Sequence, residues 1–213
     1  MSRTGSIIPV KQLEIDTPVG PARAHLERVD DPRGALVLGH GAGGGVTARD
    51  LVAVARLAHS AGLTVALVEQ PYRVAGRRSP APAHQLDTAW KAVIEHLVAD
   101  DLRDLPLVVG GRSSGARVAC RTAQSTGAAA VLCLAFPLQP PRRSGSAPAP
   151  SRLPELDAVT VPMLVVQGRG DRFGMPPSTE RRLVVQVPGD HSLRGDLGAA
   201  TETVRAWLLR VVD

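Results

Sequence analysis

Aromatic residues are scarce in this chain, at 2% of 213 positions. Apart from Lys11 and Lys91 the basic residues are all arginine, and they are scattered along the sequence. Proteins that grip single strands stack bases on aromatic side chains over a basic groove, and proteins that grip duplexes gather their cations on one face. With neither feature present, the net charge of +5 reads as a solvated surface, and nucleic acid is excluded as the expected partner. Long apolar runs are missing too. The longest, Ala128 to Leu138, is broken by Pro137 and falls well short of the ~20 residues that a membrane span needs, so no membrane partner is expected. Cysteine occurs only at Cys120 and Cys133, inside a predicted helix and the next predicted strand. That is too little for a disulfide framework and predicts a buried, reduced pair, which suits the cytoplasm. Residues 1–10 carry no apolar stretch of the signal-peptide kind and read as a loose leader.

What is present is a globular composition, 44% hydrophobic and 21% charged, expected to form a single domain over residues 1–213. Gln12 to Asp16 and Ala22 to Val29 read as an opening hairpin. Apolar runs at Ala35–Leu38, Leu63–Val68, Leu107–Val109, Ala129–Phe136, Met163–Val166 and Arg182–Val187 then read as strands. Helical patterns separate them. One runs from a Thr47/Asp50 capping box to Ser60, another carries Leu86, Ala89, Trp90, Val93, Ile94 and Leu97 on one face, a third follows the run at 107 as far as Ser125, and a last one closes the chain. Residues 70–83 are expected to be a loop. Residues 137–160, rich in proline, are expected to hold no regular element, with 139–153 forming a mobile Pro/Ser-rich flap. Alternating apolar strands and helices predict a mostly parallel sheet covered on both faces, with its chemistry at the carboxyl ends of the strands.

At the end of one strand stands Gly111-Arg112-Ser113-Ser114-Gly115, the frame Gly-x-Ser-x-Gly. A strand-to-helix turn sharp enough to lift a serine hydroxyl clear of the sheet leaves no room for side chains two residues either side, and only Ser113 has glycine in both places. A serine needs a base to take its proton, and an imidazole base needs an acid to fix its tautomer. Asp171 and His191 each follow a later predicted strand, and the order Ser…Asp…His is the one that accompanies such a turn. His25, His59 and His96 fall inside predicted elements and His84 opens one, whereas His191 lies in a loop. Asp190 is the competing acid. The backbone N–H groups of Ser114 and Ala42 are the expected oxyanion donors. His40, Gly41, Tyr72 and Arg112 are expected to contact substrate, and Arg112 with Arg73, Arg77 and Arg78 could draw in an acidic one.

Gly39-His40-Gly41-Ala42-Gly43-Gly44 also fits Gly-x-Gly-x-x-Gly after a strand, with Glu69 ending the next strand where a dinucleotide-binding fold keeps its ribose-binding acid. That alternative, resting on Gly39, Gly41 and Gly44, leaves Ser113, Asp171 and His191 unexplained. The hydrolytic reading leaves only Glu69 unexplained.

Gly39-His40-Gly41-Ala42-Gly43, Pro71-Tyr72, Ala75-Gly76-Arg77-Arg78, Ala89-Trp90, Gly110-Gly111-Arg112-Ser113, Phe136-Pro137-Leu138 with Pro140-Pro141, Gln167-Gly168 with Asp171-Arg172-Phe173-Gly174, and Gly189-Asp190-His191-Ser192 together resemble one family. It is the small α/β-hydrolase family related to dienelactone hydrolase and to regulatory subunit 3 of the NSL complex. The resemblance runs from Gly34 to the C-terminus. It implies an α/β-hydrolase fold with minimal or no cap and Ser113, Asp171 and His191 as a triad. Where the family has Met-Gly-Gly after the nucleophile, this chain has Ser114-Gly115-Ala116. The expectation is a serine hydrolase acting on a small carboxylic ester or thioester, with no cofactor and no metal. The alternative from another class is a hydrolase-shaped binding or scaffold protein. The oligomeric state is not set by the sequence.

Overall fold

The strand segments are apolar at consecutive positions because both faces of their sheet are covered. A computed structural model describes residues 10–140, 149–193 and 198–213. Most of the expected leader, and residues 141–148 of the expected flap, lie outside these. An antiparallel hairpin, β1 (Lys11–Ile15) and β2 (Ala22–Glu27), is followed by β3 (Gly34–Gly39), α1 (Arg49–Ser60), β4 (Leu63–Glu69), α2 (Pro71–Val74), α3 (Ala83–Ala99), β5 (Leu107–Arg112) and α4 (Ser114–Thr122). Then come β6 (Ala130–Leu134), α5 (Leu153–Asp157), β7 (Met163–Gly168), β8 (Arg182–Val187) and α6 (Gly198–Val212). The strands form one sheet in the order β1-β2-β4-β3-β5-β6-β7-β8. Strands β3 to β8 run parallel, and β2 joins β4 antiparallel.

The two-residue period of a strand divides the core into two layers. Ala35 and Val37 of β3, Leu107 and Val109 of β5, and Val131 and Cys133 of β6 pack beneath Leu86, Trp90, Val93, Ala116 and Val118 of α3 and α4. Leu36, Leu38, Val108, Leu132 and Leu134 face the other way, toward Leu51, Val54 and Ala58 of α1 and Val204, Trp207 and Leu208 of α6. Cys120 and Cys133 are free and buried, with sulfurs 3.5 Å apart. Their mutual hydrogen bond and burial push the Cys120 thiol well above its ordinary range. Part of the basic charge is spent inside the fold, since Arg121 pairs with Asp87 of α3 and Arg117 with Glu155 of α5. Among the described residues no helix is long and apolar enough to cross a membrane.

Several local expectations are corrected. Thr47 and Asp50 do not form a capping box on α1: the cap position is Ala48, it receives no side-chain bond, and the Asp50 carboxylate accepts from the Leu51 N–H and from Arg112. The 70–83 loop contains the short α2, whose Pro71 sits at the first helical position, where a fixed φ helps and a missing N–H costs nothing. Helix α4 stops at Thr122 rather than Ser125, where the hydroxyls of Thr122, Ser125 and Thr126 all bond nearby backbone carbonyls. Residues 137–160 are not without regular structure, because α5 forms there with Pro154 in its first turn and Leu156 buried. A proline-rich composition forbids helix interiors, not helix starts.

Candidate active site

The side chains that the sequence singled out for chemistry, Ser113, Asp171 and His191, gather at the carboxyl edge of the sheet. Strand β5 lies at its centre, and the chain turns from β5 into α4 through Ser113, which has φ 52° and ψ −105°. A non-glycine residue in that region is strained and persists only where its surroundings over-determine it. Here they do. Ser113 N–H donates to the Leu134 carbonyl at 2.9 Å. A Cβ on Gly111 would come within 2.5 Å of the Gly39 carbonyl oxygen, and one on Gly115 would overlap the same oxygen. The two glycines of the frame are thus demanded by β3 on one side and by the first turn of α4 on the other.

The structure brings Ser113, Asp171 and His191 together from three strand ends. His191 Nε2 lies 2.9 Å from Ser113 Oγ, and Nδ1 lies 2.8 Å from Asp171 Oδ2. Asp171 has no exposed side-chain surface and is held from several directions. Phe173 N–H donates to its Oδ1 at 2.9 Å and Gln167 Nε2 to its Oδ2 at 2.8 Å. Gln167 is fully buried, and the same amide nitrogen faces the carbonyls of Phe136 and Gly174, each at 3.0 Å. The Phe173 ring meets the His191 ring edge-on, with centroids 4.5 Å apart. The competing acid is turned elsewhere: Asp190 Oδ1 accepts from the N–H of Ser192 at 2.8 Å and from its hydroxyl.

Ser114 is the first residue of α4, so its N–H is one of those a helix cannot satisfy internally. Ala42 lies in the loop after β3. Its neighbour Gly41 sits directly against the turn that carries Ser113, where a Cβ would be 3.6 Å from that of Ser113.

Three residues expected to contact substrate have other partners. The buried His40 ring uses both nitrogens: Nε2 accepts the Gln70 N–H at 3.1 Å, which leaves Nδ1 to donate to the Gly41 carbonyl at 2.8 Å. Burial lowers the pKa of His40, in keeping with that neutral ring. Tyr72 donates its hydroxyl to the Ala42 carbonyl at 2.9 Å, and burial pushes the phenol up to about 12. Arg112 donates from Nε to Asp50 Oδ2 at 2.7 Å and from Nη2 to the His191 carbonyl at 3.1 Å. At a buried edge crowded with loop carbonyls, polar side chains are taken up in satisfying the backbone. The sequence did not single out Asp50 or Gln167 for the site. The signal for Asp50 was absorbed by its capping-box spacing, and Gln167 stood only as part of a family motif.

Glu69 is also accounted for, with its carboxylate 3.2 Å from His25 Nε2 and 3.5 Å from Arg23 Nη1. It serves the β2–β4 pairing, and the dinucleotide alternative loses the residue that recommended it. Among the described residues, no cluster of three His, Cys, Asp or Glu side chains is placed to hold a metal ion.

A parallel sheet entered by an antiparallel hairpin, with a strained serine at the turn from β5 into α4, defines an α/β-hydrolase fold. The chain belongs to that family: the model for the alpha/beta hydrolase domain matches residues 32–198. No curated protein matches the sequence. Among solved structures it is similar to XC6422 from Xanthomonas campestris, described as an α/β serine hydrolase without lid, at 20% identity and TM-score 0.74 with 94% of each chain covered. It is also similar to Est1E from Butyrivibrio proteoclasticus, at 17% identity and TM-score 0.74, covering 94% of this chain and 98% of that one. A dienelactone hydrolase from Anabaena variabilis aligns at 16% identity and TM-score 0.72, covering 95% of this chain and 97% of the other. At these identities the likeness is one of fold.

Proposed function

We propose that this protein is a serine hydrolase that cleaves a small carboxylic ester or thioester through a Ser113 acyl-enzyme. Ser113 Oγ attacks the substrate carbonyl carbon while His191 Nε2 takes its proton. Asp171 holds the opposite ring nitrogen and offsets the charge that develops on the imidazole. The carbonyl oxygen, now negative, is received by the backbone N–H groups of Ser114 and Ala42, each such donor being worth about 3 kcal/mol of transition-state stabilisation. The intermediate collapses and expels the alcohol or thiol, which takes its proton from His191. Water then attacks the acyl group, His191 accepting and returning a proton once more, and Ser113 is released. All the atoms in this cycle come from substrate, water and these side chains. The buried thiols of Cys120 and Cys133 suit a reducing compartment, which favours the cytoplasm as its location.

The observation that carries the reading is the bridge itself: one imidazole within hydrogen-bond reach of a strained serine on one side, at 2.9 Å, and of a buried carboxylate on the other, at 2.8 Å. A hydrolase-shaped scaffold has no physical need to keep all three in register. Labelling with a fluorophosphonate probe, followed by peptide mapping, tests it. Modification at Ser113 is expected, and Ser113→Ala should abolish it. Asp171→Asn should lower turnover of p-nitrophenyl esters by about 10⁴-fold with the fold intact, because the wrong tautomer of His191 is then favoured. An unlabelled protein, labelling at Ser114, or an Asp190→Asn variant more damaged than Asp171→Asn would each overturn the assignment. Esters of graded chain length then identify the acyl group, and short chains are expected to be preferred.

A further inference from the structure

We propose that Arg112, braced by Asp50, is a positioning residue that sets the imidazole of His191 against Ser113, an inference that rests on the acyl-enzyme reading above. Arg112 is the last residue of β5 and immediately precedes the nucleophile. Its guanidinium reaches across the site instead of into solvent. Nε is bonded to Asp50 in the first turn of α1, and Nη2 to the backbone carbonyl of His191. Nη1 lies over Gly41, where a Cβ would sit 3.0 Å from it. One rigid, planar group therefore touches the start of α1, the loop that carries Ala42 and the loop that carries the base. A fork of donors with fixed spacing is suited to holding three segments at once.

Asp50 explains why the guanidinium stays there. Its carboxylate is 2% exposed, and Oδ1 accepts the Leu51 N–H at 3.0 Å while Oδ2 takes Arg112 Nε. A buried carboxylate without a cation is costly, so each partner fixes the other.

The loop of His191 lies at the edge of the sheet. It leaves β8, an edge strand whose one neighbour is β7. Within the described residues its backbone bonds run to its own turn, Leu193 N–H to the Asp190 carbonyl at 3.1 Å, and to the exit of β7, Gly170 N–H to the Gly189 carbonyl at 2.9 Å. The Arg112 bond to the His191 carbonyl ties that loop to the nucleophile turn through the backbone. General-base catalysis tolerates little error in this distance, since a displacement of about 1 Å can cost about 100-fold in rate.

The test is Arg112→Lys, which keeps a cation beside Asp50 but replaces the rigid planar fork, with separate nitrogens for Asp50 Oδ2 and the His191 carbonyl, by a single nitrogen on a flexible stem. In protein that unfolds cooperatively as the wild type does, kcat should fall about 10- to 100-fold while KM stays within about threefold. The far-downfield proton resonance of the His191–Asp171 hydrogen bond should weaken or shift, a readout that needs no turnover. Arg112→Ala should recover part of its lost kcat on addition of methylguanidinium. If the lysine variant fails to fold, Asp50→Asn combined with Arg112→Gln removes the unpaired buried charge, and the same loss of kcat and of the resonance is expected. Wild-type kcat together with an unchanged resonance in either variant would overturn the positioning role. A wild-type protein that shows the His191–Asp171 resonance, with the variants losing it, but that leaves fluorophosphonate unreacted would overturn the acyl-enzyme reading and leave the brace standing.

Discussion

Two glycine-rich turns leave adjacent strands of the same sheet, and glycine does different work in each. In the turn from β5 into α4 there is no free space: a Cβ on Gly111 would meet the Gly39 carbonyl oxygen at 2.5 Å, and Gly110 and Gly115 would overlap the backbone of β6 and β3. In the loop from β3 to α1, a Cβ on Gly43 would meet nothing within 4 Å, and one on Gly44 only the Gly41 carbonyl oxygen at 3.9 Å. The first turn is set by backbone contact. The second is open and is held from outside by side chains: His40 and Tyr72 bind the carbonyls of Gly41 and Ala42, and Arg112 lies against Gly41. This difference also separates the hydrolase from its sequence rival. A dinucleotide fingerprint needs its last glycine for close packing of helix on strand, and Gly44 makes no such contact. Helix α1 begins only at Arg49.

The contrast predicts opposite outcomes for the same substitution. Gly115→Ala forces a methyl group into a carbonyl that neither β3 nor α4 can move away, so it should cost about 3 kcal/mol or more of stability. Gly43→Ala should change stability by no more than about 0.5 kcal/mol. Denaturant unfolding of the two variants measures both. Similar losses would mean that the loop after β3 is as tightly packed as the turn from β5 into α4.

Tyr72→Phe sharpens the other half of the comparison. It removes the bond to the Ala42 carbonyl, a half-buried acceptor, at a cost of about 1 kcal/mol. If that bond holds the Ala42 N–H in place as the proposed oxyanion donor, kcat should fall several-fold with KM little changed. Equal kcat in both proteins would show that the loop keeps its shape without the phenol.

The smallest expected effect is a pH dependence. The folded pKa of His40 is lowered from 6.5, chiefly by burial, with Arg73 adding to the shift and the Gly41 bond and Glu69 opposing it. Below 6.5 the unfolded chain takes up a proton that the folded protein resists. The stability contributed by the neutral ring is therefore fully present above 6.5 and is lost as pH falls from there toward the lowered value. The difference in unfolding free energy between wild type and His40→Gln, followed from neutral to acidic pH, should shrink over that window. A difference that does not vary with pH would mean that His40 is not the buried neutral clamp.

The sequence by itself determined the alternation of apolar strands and helices, and with it a parallel sheet covered on both faces. It also placed Ser113, Asp171 and His191 at strand ends, because the sharp turns and loops that carry them leave short, local signatures of glycine and polar residues. Tertiary structure decided how those residues and their neighbours are used. His40, Tyr72 and Arg112 read as substrate contacts, yet each is bonded to a loop carbonyl. Asp50 read as a helix cap and proved to be the partner of a residue 62 positions away, while Gln167 emerged as a clamp on Asp171. Glu69, the residue that favoured a dinucleotide, pairs with His25 and Arg23 across β2 and β4. The reason is physical: glycine and proline constrain the chain where they stand, whereas the partner of a polar side chain is fixed only when strands distant in sequence are laid side by side.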